Sequence, residues 1–152
     1  MNTRREEPEP LVNIERNPLV PLISLALSTA LVYLVYYSIF SKEVTEIKPL
    51  GFFLFVPAVL SVFQSLWFLL NPFIVIYEDK MELKKWMFSN KEWQFVDIKA
   101  CSLAKGNKLQ LVYNDNDVDS MQLNGIRSSH KDLLLTSVQQ QVDKSLNRRA
   151  QL

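Results

Sequence analysis

Two stretches of the chain carry no ionisable side chain, and they govern how the rest is read. Between residues 17 and 41, and again between 49 and 77, there is no Asp, Glu, Lys or Arg. The run LVPLISLALSTALVYLVYYSIF at 19–40 and the run PLGFFLFVPAVLSVFQSLWFLL at 49–70 are long, uncharged and predominantly apolar. A helix rises 1.5 Å per residue, so about 20 such residues cover the ~30 Å hydrocarbon core of a bilayer. The pattern predicts two membrane-spanning helices, 19–40 and 49–70, in a transmembrane helical hairpin over 18–71. Asn17 supplies an N-cap oxygen, and Pro18 fits the first helical position. Pro57 predicts a bend in the second span, which lipid-embedded helices tolerate. The small residues Ser24, Ser28 and Ala58, with Gln64 as the most polar side chain, are expected to mediate intramembrane helix packing. Tyr33, Tyr36 and Tyr37 suit an interfacial aromatic belt. The first run is too long for a signal-peptide core and lacks a small-x-small cleavage pattern before Lys42, so it reads as a retained span.

Past Pro72 the rhythm changes to short β-branched and aromatic segments broken by turn residues. Strands are expected at 73–77, at 81–88 with Met81, Leu83, Lys85 and Met87 on one face, and from 92 through Trp93, Phe95, Cys101 and Leu103. Further strands are expected at 109–113 and 118–123, with turns at 78–80, 89–91, 105–107 and 114–117; Lys105-Gly106-Asn107 is the clearest hairpin signal. About six short strands at this spacing favour an antiparallel meander or small barrel. The chain then changes to helical spacing at Leu133, Leu134, Val138, Gln141, Val142 and Leu146, with Ser128 or Ser129 as N-cap. Asp132 at its start and Lys144, Arg148 and Arg149 at its end match the helix dipole. Three glutamines at 139–141 predict a solvated distal half.

Charge alters little in this picture. The formal net charge of the 152 residues is +1. The hydrophilic tail at 1–17 has Arg4, Arg5 and Arg16 against four glutamates, and the loop balances Lys42 and Lys48 against Glu43 and Glu46. The part after residue 48 has twelve basic and ten acidic residues, too even a balance to concentrate nucleic acid, so no nucleic-acid partner is expected. Basic residues close to the spans orient the hairpin: Arg4, Arg5 and Arg16 precede it and Lys80, Lys84 and Lys85 follow it. Both termini are therefore expected in the cytosol. The same lysines, with Trp86, are candidates for contact with an anionic membrane surface.

Candidate chemistry is sparse. The one cysteine, Cys101, excludes an intrachain disulfide and reads as a small buried hydrophobe. His130 is the sole histidine, so a metal site built on it and Cys101 would lack further ligands. Asp115, Asp117 and Asp119 alternate as at the start of a calcium loop, but Ser120 and Ile126 stand where an EF-hand needs Gly and Glu. A solvated turn is the better reading. No catalytic residue, cofactor or metal is expected.

The hairpin, the Asn71-Pro72-Phe73 entry, the strand pair around Tyr77-Glu78-Asp79-Lys80-Met81, the 93–98 segment and the final helix together resemble bacterial pleckstrin-homology-like membrane proteins. The resemblance covers most of the chain from Leu19 on and rests on architecture and apolar rhythm. It implies an α+β membrane protein: a two-helix hairpin, then a cytosolic PH-like split β-barrel over 72–152, capped by the C-terminal helix. A full barrel of this type requires the segment 92–103 to divide into two strands. With no catalytic constellation, the expected function is a membrane-tethered interaction or scaffold module in the bacterial inner membrane. Its partners would be the bilayer and a protein or a second copy of the chain. The alternatives are an accessory subunit of a larger membrane enzyme or transporter, and a lipid sensor using Lys80, Lys84 and Lys85.

Overall fold

A computed structural model describes residues 9–40 and 48–151. Arg4, Arg5, Lys42 and the loop glutamates lie outside the described residues. The chain folds as two units. One is Arg16–Asn71; the other joins the segment ending at Glu15 to the segment beginning at Pro72.

The first unit is a pair of helices, α1 (Leu19–Phe40) and α2 (Lys48–Leu70), the latter continuous through Pro57. Serines line their contact. Ser24 Oγ lies 2.7 Å from Ser65 Oγ, and Ser28 Oγ lies 2.8 Å from Ser65 Oγ and 3.0 Å from the Ser61 carbonyl. Further along, Gly51 packs on Ser38 and Ile39 so closely that a Cβ there would stand 2.9 Å from Ser38 Cβ and 2.8 Å from Ile39 Cγ1. Small side chains thus let the backbones approach while hydroxyls bond across the seam. The large apolar side chains point outward, Leu22, Phe52, Phe53 and Phe63 among them. Only 17% and 11% of the two apolar windows are buried, whereas the core helix of a soluble protein is mostly buried. Both helices are long and apolar enough to cross a membrane.

The second unit is α+β: a four-stranded and a three-stranded antiparallel sheet and one long helix. The four-stranded sheet has the order β1 (Val12–Ile14), β2 (Ile74–Ile76), β3 (Lys80–Trp86), β4 (Ser89–Gln94). The other has the order β5 (Ile98–Ala104), β6 (Lys108–Tyr113), β7 (Val118–Gln122). Helix α3 (Ser129–Ala150) packs on β5 and on the turn before it. Ile14, Ile74, Ile76, Met81, Leu83, Trp93 and Phe95 meet Ile98, Leu109, Leu111, Met121, Leu123, Leu134, Val138 and Val142 in one core.

Four details depart from the sequence expectation, and one condition set there is met. The flank read as a hydrophilic tail supplies β1, with Val12 opposite Ile76 and Ile14 opposite Ile74, so the helical hairpin is an insertion between two paired strands. The segment 92–103 does divide, at a 3-10 turn over Phe95–Asp97. The turn expected at 89–91 falls instead at Met87 and Phe88, with Trp86 opposite Ser89 and a register shift before it. The distal half of α3 is not solvated throughout: Gln141 is 6% exposed and Val142 2%, and Ser145 Oγ donates to the Phe95 carbonyl at 3.0 Å. The sheets do not close into a barrel, since β4 and β7 remain edge strands.

Candidate functional site

The edges of β4 and β7 approach each other without joining their ladders, and side chains close the gap. Alternation along β4 puts Lys91 and Trp93 on one face, with Trp93 buried in the core and Lys91 exposed nearer the strand's start. On β7 it turns Met121 inward, with Asp119 half-buried two residues before. Asp119 Oδ2 accepts from Lys91 Nζ at 2.6 Å and from Trp93 Nε1 at 2.8 Å. Lys91 also sits 5.0 Å from the centre of the Trp93 ring, a cation–π distance. Partial burial pushes the Asp119 carboxyl upward, but the bonds from Lys91, Trp93 and the Ser120 amide outweigh it and hold the group below its ordinary value.

Beside this bridge the seam opens into a cleft of about 270 Å³. Phe73, Leu83, Trp93 and Met121 line it with apolar surface, while Lys85, Ser89, Lys91, Ser120 and Gln122 supply polar groups. Lys85, exposed near the end of β3, stands at the rim of the cleft. A second cleft of about 230 Å³ lies by Phe95, Val96, Lys144 and Arg149. There Arg148 pairs with Glu78.

The expected surface-contact residues fall into two groups. Lys84, Lys85 and Trp86 end β3, next to the Met87–Phe88 turn. Lys80 lies at the other end of the strand, six residues away and hence ~20 Å, where it pairs with Glu82 at 2.5 Å and Glu92 at 3.3 Å. The hydrogen bond to Glu82 is the main reason the Lys80 ammonium titrates above its ordinary value. Phe88, 80% exposed at the tip beside Trp86 at 50%, is the residue that sequence reasoning missed. Its signal was available in the run from Leu83 to Lys91, which has three lysines, two aromatic residues and no acidic residue.

In the hairpin, Ser24 and Ser28 are turned to Ser61 and Ser65, as helix-packing residues. Ala58 is buried and lines an apolar groove of about 220 Å³ with Val32, Val35, Phe55 and Val62. Gln64 is half-buried. Arg16, just ahead of α1, is buried with its guanidinium 4.6 Å from the centre of the Phe68 ring; desolvation lowers its pKa to about 10, so it stays charged at neutral pH.

The remaining candidates do not converge. Cys101 is buried in β5, and burial first, with Asp143 adding, pushes its thiol up to about 11, so it is protonated at neutral pH. His130 lies in the first turn of α3, with its amide bonded to the Arg127 carbonyl. Asp115 caps its own turn by accepting from the Asp117 amide at 3.1 Å, and Asp119 points to the seam. Among the described residues no three His, Cys, Asp or Glu side chains group as a metal site. Comparison of the chain with family models, curated proteins and solved structures finds no match.

Proposed function

We propose that this protein is a non-catalytic interaction module tethered in the inner membrane of a bacterium, with its β-unit and both termini on the cytosolic face. The insertion of the apolar hairpin between β1 and β2 carries this reading. Adjacent strands of one sheet lead into and out of the helices, so two spans return the chain to the side it left. In lipid the outward leucines and phenylalanines of α1 and α2 need no other cover. The pleckstrin-homology-like character is supported by the succession of four strands, three strands and a C-terminal helix on β5.

The partner site is the β4–β7 seam. An extended peptide pairs with a free strand edge through its backbone, and alternate side chains enter pockets. Here an apolar side chain would enter the cleft over Trp93 and Met121, and a carboxylate would meet Lys85. The non-catalytic reading draws on groups that are already engaged: a protonated Cys101 thiol, and Glu78, Glu82, Glu92 and Asp119 each in an ion pair.

The test uses the full-length protein in nanodiscs and two ten-residue probes, an alternating Val–Glu peptide and an alternating Val–Lys peptide. The reading expects the acidic probe alone to shift backbone amide resonances of β4 and β7, and Ser120→Trp, which fills the cleft, to abolish the shift. No shift with either probe, or equal shifts with both, contradicts it. The accessory-subunit reading retains one supporting feature, the apolar groove beside Ala58. A photo-crosslinker at Val59 that captures only lipid in native membranes removes that support.

A further inference from the structure

We infer that the β3–β4 tip is a membrane wedge: Trp86 and Phe88 enter the headgroup region of an anionic leaflet, drawn there by Lys84 and Lys85. The inference rests on the membrane-tether reading and adds a second contact between the β-unit and the lipid.

Register places the tip at a particular end of the sheet. Ile14 pairs with Ile74, and Ile74 pairs with Leu83, so the ends of β1 and β2 nearest the helices in sequence are level with Leu83. The Lys84 amide donates to the Phe73 carbonyl at 2.9 Å, which carries the pairing one step further toward Pro72. Trp86 lies three residues beyond Leu83, or ~10 Å along the strand. The chain therefore enters and leaves the β-unit at the end from which the tip projects. Four residue steps separate Leu70 from Ile74, a reach of at most ~14 Å. In a protein whose α2 ends at a bilayer surface, this tether keeps the tip within reach of the same leaflet.

The chemistry of the tip fits that position. Phe88 is 80% exposed at a turn, where water-soluble hairpins normally place Asn, Asp or Gly. Tryptophan and phenylalanine partition to the interface, and lysines beside them are attracted to anionic headgroups. The stretch from Leu83 to Lys91 contains no acidic residue, and Lys91 pairs with Asp119. The aromatic side chains and the charges thus lie together on one projection.

The test places an environment-sensitive fluorophore on a Phe88→Cys variant in a Cys101→Ser background, reconstituted full-length in vesicles. An Asn116→Cys variant, labelled in the β6–β7 turn, is the control. With phosphatidylglycerol-containing vesicles the label at 88 is expected to shift to the blue and lose emission to spin-labelled lipids, while the control does neither. Lys84→Glu with Lys85→Glu should return the signal to its level in phosphatidylcholine vesicles. A label at 88 that floats with the vesicles but stays unquenched in both lipids overturns the wedge and leaves the tether standing. A blue shift without lipid quenching assigns the tip to a protein contact and also overturns it. Failure of the protein to float with vesicles overturns the tether reading itself.

Discussion

Asp119 holds two strand edges together where no backbone ladder does. Because it accepts from Lys91 and Trp93 at once, its removal leaves a buried indole N–H without its acceptor. Both charged partners are partly exposed, so screening reduces the gain, and Asp119→Ala is expected to cost about 1 kcal/mol in chemical denaturation. The pH dependence has a definite sign. Its folded pKa lies below the ordinary 3.8, so its stabilisation is complete above that value and is lost as pH falls through the folded one. Unfolding midpoints of wild type and Asp119→Ala should therefore keep a constant gap above pH 3.8 and converge as pH falls below it; a gap that persists in acid would mean that the carboxylate charge plays no part. Cys101 offers a second residue-level test. With a thiol near 11 and buried, the native protein should react with a thiol reagent only as fast as it unfolds, and immediate labelling at pH 8 would contradict its packing. Burial of Cys101 was legible because its flanks alternate. The Lys91–Asp119–Trp93 bridge was not, because nothing local says that residues on separate hairpins face each other.

Individual elements were most readable where a single period dominates. The two uncharged runs became α1 and α2 with nearly the expected bounds, and Gly106 with Asn107 took positive φ in the β5–β6 turn as the Lys105-Gly106-Asn107 signal implied. The β3–β4 turn was misplaced because Ser89-Asn90-Lys91 has turn chemistry while Met87-Phe88 looks like strand. A register shift between Lys84 and Trp86 moves the reversal two residues forward. Strand β1 was hidden for a different reason: three residues between glutamates give no periodic signal, and their partner lies beyond the whole hairpin. The hairpin itself depends on close approach. Gly51→Ala would press a methyl against Ser38 and Ile39, and Ser28→Val would remove the hydroxyl shared with Ser61 and Ser65. Each is expected to weaken helix pairing by about 0.5–2 kcal/mol, measured by steric trapping or SDS titration in bilayer mimetics. Wild-type behaviour in both would show that the helices do not pack through the serine face.

At the scale of the molecule, one sheet is assembled from segments on either side of the hairpin. Ile14 is fully buried against residues that follow Pro72. Ile14→Ala should thus destabilise the β-unit by about 3 kcal/mol although it lies in the N-terminal flank; an unchanged unfolding midpoint would detach β1 from the sheet. In the proposed tether, this arrangement requires the flank before α1 and the β-unit after α2 to share one side of the membrane. Labelling of single-cysteine variants with an impermeant maleimide, in oriented membrane vesicles and a Cys101→Ser background, reads that directly. Glu9→Cys and Asn116→Cys should react from the cytosolic face and Thr45→Cys only from the opposite face. Labelling of all three from one face, or recovery of the protein in the soluble fraction without detergent, would contradict the two-span tether.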